Sequence, residues 1–326
     1  MASFKRISSK VKAAENTGFG TNAASYGGRL LNKNGQANIR KTGIGFLERY
    51  SWFHSMLAMS NTKFFLIILL FYIIVNLLFT CIYYLVGVEH MVGIETHSEL
   101  EKFTEAFFFS SQTFTTVGYG RISPSGFATS ALAAFQALIG LLSFAVGAGL
   151  MYGRFSKPTA YLKFAHNALI APYKDHTALM VRVVPFKNTT LTDAECRLTL
   201  GMLIEENGVK INRFFNLNLE LDKVGALTLS WTIVHPITED SPLYNFKETD
   251  YQSLKGEIIV FIKAFDDMFS NTVVTRSSYT FNEIEYGAKY KPMFQRDKND
   301  SGTILQIDKL NDFDKIALEP TNNELV

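Results

Sequence analysis

The sequence predicts a two-span α-helical membrane domain followed by an all-β sandwich. Three observations carry this. Phe64–Val86 and Thr129–Met151 are uncharged runs long enough to cross a bilayer. Between them lies Thr104–Phe114, apolar but too short to span, leading into a glycine-punctuated run. From residue 159 onward, short strand-like segments separated by turn signals replace the long apolar stretches.

With 326 residues there is room for about two domains. The net charge of +2 is unremarkable, and a charged fraction of 19% is low for a purely soluble protein. Cys81 lies in an apolar run and Cys196 in a soluble region, which excludes an extracellular disulfide framework and a cysteine metal cluster. No basic tract calls for nucleic acid, and no cofactor is expected. The polar, basic N-terminus lacks the apolar core of a signal peptide.

Residues 1–44, rich in Gly, Asn, Ser and Lys, read as a cytoplasmic arm that is mobile for most of its length. Its tract Arg29–Arg40 is expected as a short extended strand against the body. Residues 45–158 form the membrane domain. Phe46, Tyr50, Phe53 and Leu57 make one helical stripe opposite Glu48, Arg49, Ser51 and Ser55, which suits a helix lying in the membrane interface. The first span covers roughly 34 Å at about 1.5 Å per residue, with Asn76 and Thr80 expected to meet a neighbouring helix. The stretch Val88–Glu105 is acidic, and a half-helix is expected at 104–114. A half-helix followed by irregular backbone is tolerated in a membrane only where it lines a cavity, and its C-terminal dipole end favours a cation there. Lys5, Arg6, Lys10, Lys12, Arg29, Lys33, Arg40, Lys41, Arg49 and Lys63 precede the first span, whereas only Lys102 and Arg121 lie between the spans. Both termini are therefore expected in the cytoplasm of a cell with this protein in its plasma, or inner, membrane.

The run Thr116-Val117-Gly118-Tyr119-Gly120 concentrates the chemistry. Glycine accepts positive φ, so glycines at every second place allow successive carbonyls to face one side. Val117 and Tyr119 then pack outward, and the Thr116 hydroxyl adds an oxygen ring. Four such loops around an axis replace the water shell of K+, which makes K+ the expected ligand of Thr116, Val117, Gly118 and Tyr119.

In residues 159–320, Ala178–Val184, Arg197–Leu203, Phe214–Leu221, Leu227–Val234, Glu257–Ala264 and Thr272–Phe281 read as strands of a sandwich. Glu206-Asn207-Gly208, His235-Pro236 and Asp240-Ser241-Pro242 read as turns. His90, His97, His166, His176 and His235 are assigned to surface or turn positions without a proton-sensing role. Residues 321–326 are a tail.

Several stretches resemble the inward-rectifier potassium channels, in particular their prokaryotic branch. They are Phe109-Ser110-Ser111-Gln112-Thr113 ahead of Thr115–Gly120, Tyr152-Gly153-Arg154-Phe155-Ser156-Lys157-Pro158, Leu229–Pro236 with Asp240–Tyr244, and Arg276–Tyr279 with Asn282-Glu283-Ile284. The resemblance implies a homotetramer with a pore half-helix, an interfacial slide helix and an immunoglobulin-like cytoplasmic sandwich. It also implies filter support at Gln112 and Arg121. Gln112 stands where animal relatives carry a Glu, and Arg121 stands where prokaryotic relatives usually carry Asp, so Arg121 is expected to dampen cation entry.

Gln136, Gly140, Phe144, Ala148 and Tyr152 share one helix face by their spacing of four, and by resemblance that face lines the pore. Phe144 and Tyr152 match positions that narrow the inner mouth and gate by dewetting. Strongly rectifying relatives carry at the Phe144 position an acid that attracts polyamines or Mg2+, so weak rectification is expected here. Asp193 and Asp222 match or neighbour cytoplasmic-pore acids, and Phe269, Ser270, Asn271 and Thr272 match the constriction at the top of that pore. Arg40, Lys41, Arg49, Arg154, Lys157 and Lys163 are expected near the inner leaflet, where anionic lipid, phosphoinositide among others, would bind. Two further family lysines are replaced by Thr159 and Ala160. The alternatives are a subunit of an active potassium-uptake transporter, which would repeat single-glycine filters, and a membrane receptor with a vestigial pore.

Overall fold

The computed structural model describes residues 29–45, 51–95, 98–206, 209–297 and 302–318. Two units emerge. One comprises Thr42–Lys157, and the other joins the described N-terminal residues up to Lys41 with the chain from Pro158.

In the first unit, helix α1 (Trp52–Ala58) is capped at its start by the Ser51 hydroxyl, which accepts from the His54 amide at 3.3 Å. Trp52 and Phe53 are exposed, as an interfacial helix requires. The part of the expected stripe at 46–50 lies outside the described residues. Helix α2 (Asn61–Val86) and helix α4 (Phe127–Phe155) are long and apolar enough to cross a bilayer. Their outward faces are leucine, isoleucine and phenylalanine, the surface that lipid rather than water would cover.

Helix α3 runs from Glu99 to Phe114, so it begins five residues earlier than the expected half-helix at 104–114. The acidic residues Glu99 and Glu101 occupy its first turn, where the helix dipole favours negative charge. The end of the acidic stretch is therefore a helix start. Strand β1 (Met91–Val92) pairs antiparallel with β2 (Ser123–Pro124), bringing the segment after the glycine-punctuated run back beside the loop that precedes α3.

A buried polar network holds α3 between the long helices. The Tyr83 hydroxyl donates to Gln136 Oε1 at 2.8 Å, and Gln136 Nε2 donates to the Ser110 carbonyl at 3.0 Å and its hydroxyl at 2.7 Å. The Ser110 hydroxyl in turn donates to Asn76 Oδ1 at 3.0 Å, and the Asn76 amide donates to the Tyr72 carbonyl at 2.8 Å. Asn76, Thr80, Ser110 and Gln136 are fully buried. In an apolar surround such a network is stabilising only when every member is satisfied, and here each donor has an acceptor. Tyr83 also meets Phe109 edge to face, with ring centroids 5.2 Å apart.

The second unit is a sandwich of two five-stranded sheets. One sheet has the order β11 (Asn271–Thr280), β10 (Gly256–Asp266), β6 (Leu191–Glu206), β7 (Val209–Leu217), with β8 (Lys223–Leu227) also on β6. The other has the order β12 (Ile284–Tyr286), β4 (Ala168–Tyr173), β5 (His176–Pro185), β3 (Leu162–Phe164), with β9 (Trp231–Ile237) also on β5. Leu179, Val181 and Val183 of β5 face Leu198, Leu200, Ile258 and Val260 across the main core. The alternate residues Ala178, Met180 and Val184 lie in a second core with Ala288, Tyr290 and Leu310. The expected strand Leu227–Val234 is two strands interrupted at Thr228–Ser230, and a short helix α5 (Glu248–Ser253) enters between β9 and β10.

The tract Arg29–Arg40 is a tight hairpin rather than an extended strand: a single bridge joins Leu31 to Ala37, and Gly35 turns with φ 79°. Leu30 and Leu31 are buried beside Phe214 and Ile259. The buried Glu257 carboxylate accepts the Leu30 and Leu31 amides at 2.6 and 3.0 Å, and Arg29 pairs with Glu283 at 3.1 Å. This part of the arm is therefore fixed to the β-unit.

His235-Pro236 is not a turn. Both residues lie inside β9, His235 opposite Leu179 and Pro236 opposite Ala178. Among the described residues its only ladder is to β5, so the missing proline N–H falls on an edge strand. Trp231, Ile233, His235 and Ile237 alternate into the core, leaving His235 only 2% exposed. Its Nδ1 lies 2.6 Å from the Asn218 carbonyl, which can only accept, so Nδ1 carries the proton and Nε2 accepts from the Ser241 hydroxyl at 2.8 Å. Burial pushes the imidazole pKa down to about 4, against the opposing pull of the Asn218 carbonyl. A folded pKa below the unfolded value of about 6.5 stabilises the fold fully above pH 6.5. That stability, about 3 kcal/mol at most, is lost as pH falls from about 6.5 toward about 4. Thermal unfolding of the full-length protein is expected to show this loss, and His235→Asn to flatten it; equal pH slopes for both proteins would contradict the assignment.

Candidate ion filter and its supports

The end of α3 turns directly into the glycine-punctuated run. Thr115 ends the helix with φ −81° and ψ 0°, and its amide donates to the Ser111 carbonyl at 3.1 Å. The Gln112 carbonyl then accepts from two amides, Val117 at 2.9 Å and Gly118 at 3.3 Å. Gln112 thus holds the run through its backbone, and the free helix-end carbonyls are answered by the segment that follows.

Beyond this point every second residue has positive φ: Thr116 at 59°, Gly118 at 54° and Gly120 at 79°. Gly118 and Gly120 are there because glycine adopts this region freely. Thr116 is the departure, since a β-branched residue with positive φ is strained by about 1–3 kcal/mol. In the single chain Val117 and Tyr119 are 53% and 79% exposed. After Gly120, the Arg121 guanidinium donates to the Glu105 carboxylate on α3, so the residue expected to dampen cation entry shares its charge with a carboxylate.

The face expected to line the pore divides in two. Gln136 and Gly140 are buried against α3 and do not line an open cavity. Gln136 is consumed by the Tyr83 and Ser110 hydrogen bonds, and a Cβ on Gly140 would overlap the Phe114 carbonyl. Lower on α4, Phe144 and Tyr152 are 77% and 75% exposed, and Ala148 is exposed between them.

The expected lipid-facing bases are divided between the two units. Arg154 is held at the elbow between α1 and α2, donating to the Met56 and Met59 carbonyls at 2.6 and 2.8 Å and to Asn61 Oδ1 at 2.6 Å. Its guanidinium lies 4.5 Å from the centre of the Phe64 ring. Lys157 is exposed after α4, whereas Arg40, Lys41 and Lys163 belong to the β-unit and Lys163 stacks over Phe186. Arg49 lies outside the described residues.

In the β-unit, Asp193 has φ 48° at a bulge in β6 and pairs with Lys223 at 3.1 Å. Asp222 is exposed, and its carbonyl accepts from the Cys196 amide at 2.7 Å. Phe269 and Ser270 lie in the turn between β10 and β11, where the buried Asp266 carboxylate accepts the Met268 and Phe269 amides at 2.9 and 3.3 Å; Asn271 and Thr272 open β11. The Glu105 carboxylate, which meets Arg121, is a contact that spacing and resemblance missed. Its signal is a position two helical turns before Gln112.

The family profile described as the inward rectifier potassium channel C-terminal domain matches residues 162–323. The profile described as ion channel matches residues 63–156. The chain is 31% identical over 271 residues to the inward rectifier potassium channel Kirbac3.1 of Paramagnetospirillum magnetotacticum, covering 82% of this chain and 89% of that protein. It is 28% identical to the ATP-sensitive inward rectifier potassium channel 12 of Gallus gallus, over 83% of this chain and 68% of that one. It is likewise 28% identical to the inward rectifier potassium channel 18 of Homo sapiens, over 83% and 67%. These matches run through both apolar helices and the β-sandwich, so the chain is a membrane ion-channel subunit, not an enzyme, and belongs to the inward rectifier potassium channel family.

Proposed function

We propose that four copies of this chain surround a common axis and pass K+ passively through Thr116–Gly120. The observation that carries this reading is the positive φ at every second residue from Thr116 to Gly120, set directly on the end of a short helix. Alternating φ turns successive peptide oxygens to one side, and four such ladders replace the water around a dehydrated K+. The exposure of Val117 and Tyr119 in the single chain agrees with neighbours that cover them. Thr115, at the helix end, stands below the filter.

Phe144 and Tyr152 close the inner mouth as apolar rings, with the turn Phe269–Thr272 as a second constriction on the cytoplasmic side. Phe144 carries no charge and Asp193 shares its charge with Lys223, so polyamines and Mg2+ block weakly. The termini lie in the cytoplasm and the membrane is the plasma, or inner, membrane; the ten-to-two distribution of bases before and between the spans supports that orientation.

Rubidium uptake into liposomes holding the purified protein tests conduction, with barium block as the control. Within the single chain a Cβ at Gly118 meets nothing within 4 Å, so the penalty for a side chain that the chain itself imposes is the positive φ of 54°. Gly118→Ser is expected to lower uptake by about tenfold or more. Undiminished uptake would remove the run from the pathway.

Anionic lipid acts through Arg154 and Lys157. A base near an anionic surface contributes about 1 kcal/mol, so Lys157→Gln should raise the phosphoinositide concentration for half-maximal response by about fivefold. An unchanged half-maximal concentration would reduce these bases to a topology signal.

A further inference from the structure

Strand β10 turns Phe261, Lys263 and Phe265 outward from the sandwich, while Ile262 and Ala264 face its core. The row of paired residues through Lys263 runs from Val274 on β11 to Lys263, Glu195 on β6 and Lys223 on β8. The other charges of this row are already committed. Glu195 accepts two hydrogen bonds from Arg197, at 2.8 and 3.1 Å, and Lys223 pairs with Asp193 at 3.1 Å. Among the described residues Lys263 forms no ion pair, and it acts on Glu195 through space.

The surroundings of Lys263 are apolar. Phe265 and Val274 are 40% and 46% exposed, and the ring of Phe261 lies 5.4 Å from the Arg276 guanidinium. Arg276 is diagonal to Lys263 on the neighbouring strand, a spacing of about 7–8 Å. Apolar neighbours displace water and so strengthen the attraction of a base for an anion. The nearby acids do not cancel this pair of bases. The Asp267 carboxylate accepts the Thr192 hydroxyl at 3.1 Å, and Asp222 stands at the start of β8, on the far side of β6.

We propose that Lys263, with Arg276 beside it, binds a chain of inorganic phosphates in the cytoplasmic pathway, and that this anion stops the flow of K+. This rests on the reading of Asp193 as a cytoplasmic-pore acid in a four-fold assembly, because Asp193 is bonded to the lysine that ends the Lys263 row. Four copies then turn four ammonium groups toward one axis. A single phosphate can meet few of them, whereas a linked chain carries several charges and meets several copies at once. The same ring repels spermine and Mg2+, so the occupant is opposite in sign to the cations that enter an acid-lined path.

The test records K+ current in excised liposome patches holding the full-length protein, Lys263→Gln or Lys263→Glu. Tripolyphosphate, orthophosphate, guanosine triphosphate and spermine are supplied to each face in turn. Tripolyphosphate should lower wild-type current by about tenfold from one face only, at a concentration where orthophosphate does nothing. In Lys263→Gln, which sets no acid opposite Glu195, the concentration for half block should rise by about tenfold or more. Lys263→Glu should lose the anion block and gain block by spermine. Wild-type current indifferent to tripolyphosphate, block by the nucleotide alone, or block undiminished in Lys263→Gln would each overturn the proposal. Spermine separates this from the pore reading. If Lys263→Glu gained spermine block while tripolyphosphate left the wild type unchanged, Lys263 would stay on the pathway and the anion site alone would fall. If the variants matched the wild type with every ion, the pore reading of the Asp193 face would fall with it.

Discussion

A chain that is to surround a bare cation must turn successive peptide oxygens the same way, against the alternation that L-residues impose on an extended backbone. Positive φ at Thr116, Gly118 and Gly120 meets that requirement. Glycine accepts it without penalty, but Thr116 does not, and its strain of about 1–3 kcal/mol has to be offset by neighbouring structure. The Gln112 carbonyl, bonded to two filter amides, is the nearest source of that offset.

That carbonyl is useful only if helix α3 stays in place. The chain secures α3 with a polar network running from Tyr83 through Gln136 and Ser110 to Asn76, and with the close approach of Gly140 to Phe114. Both devices depend on residues that an apolar helix would not otherwise tolerate. A polar side chain buried in such a place is expensive unless fully paired, which explains why each is tied to the next. The β-unit solves a comparable problem with His235, whose two ring nitrogens are matched to one acceptor and one donor.

Much of this was legible from residue order. Uncharged runs marked the two long helices, and short segments separated by turn signals marked most strands of the sandwich. The failures share a physical reason: spacing tells which residues share a face but not what that face meets. Gln136 and Gly140 do lie on one stripe with Phe144, yet α3 packs over the upper half of it. The half-helix was expected from residue 104, because an apolar run marks a helix in sequence more plainly than the charged turn of Glu99 and Glu101 that starts it. Pro236 hid the end of a strand because its edge position was not visible. The Glu105–Arg121 pair joins residues sixteen positions apart across the filter, a distance at which no local pattern operates.

The central claim is that backbone oxygens of this chain stand in for water around K+. The most direct measurement is the reversal potential across a planar bilayer holding the purified protein, with K+ on one side and Na+ on the other. A potential close to the K+ equilibrium value is the predicted result. A potential near zero, meaning that Na+ passes as readily as K+, would contradict it.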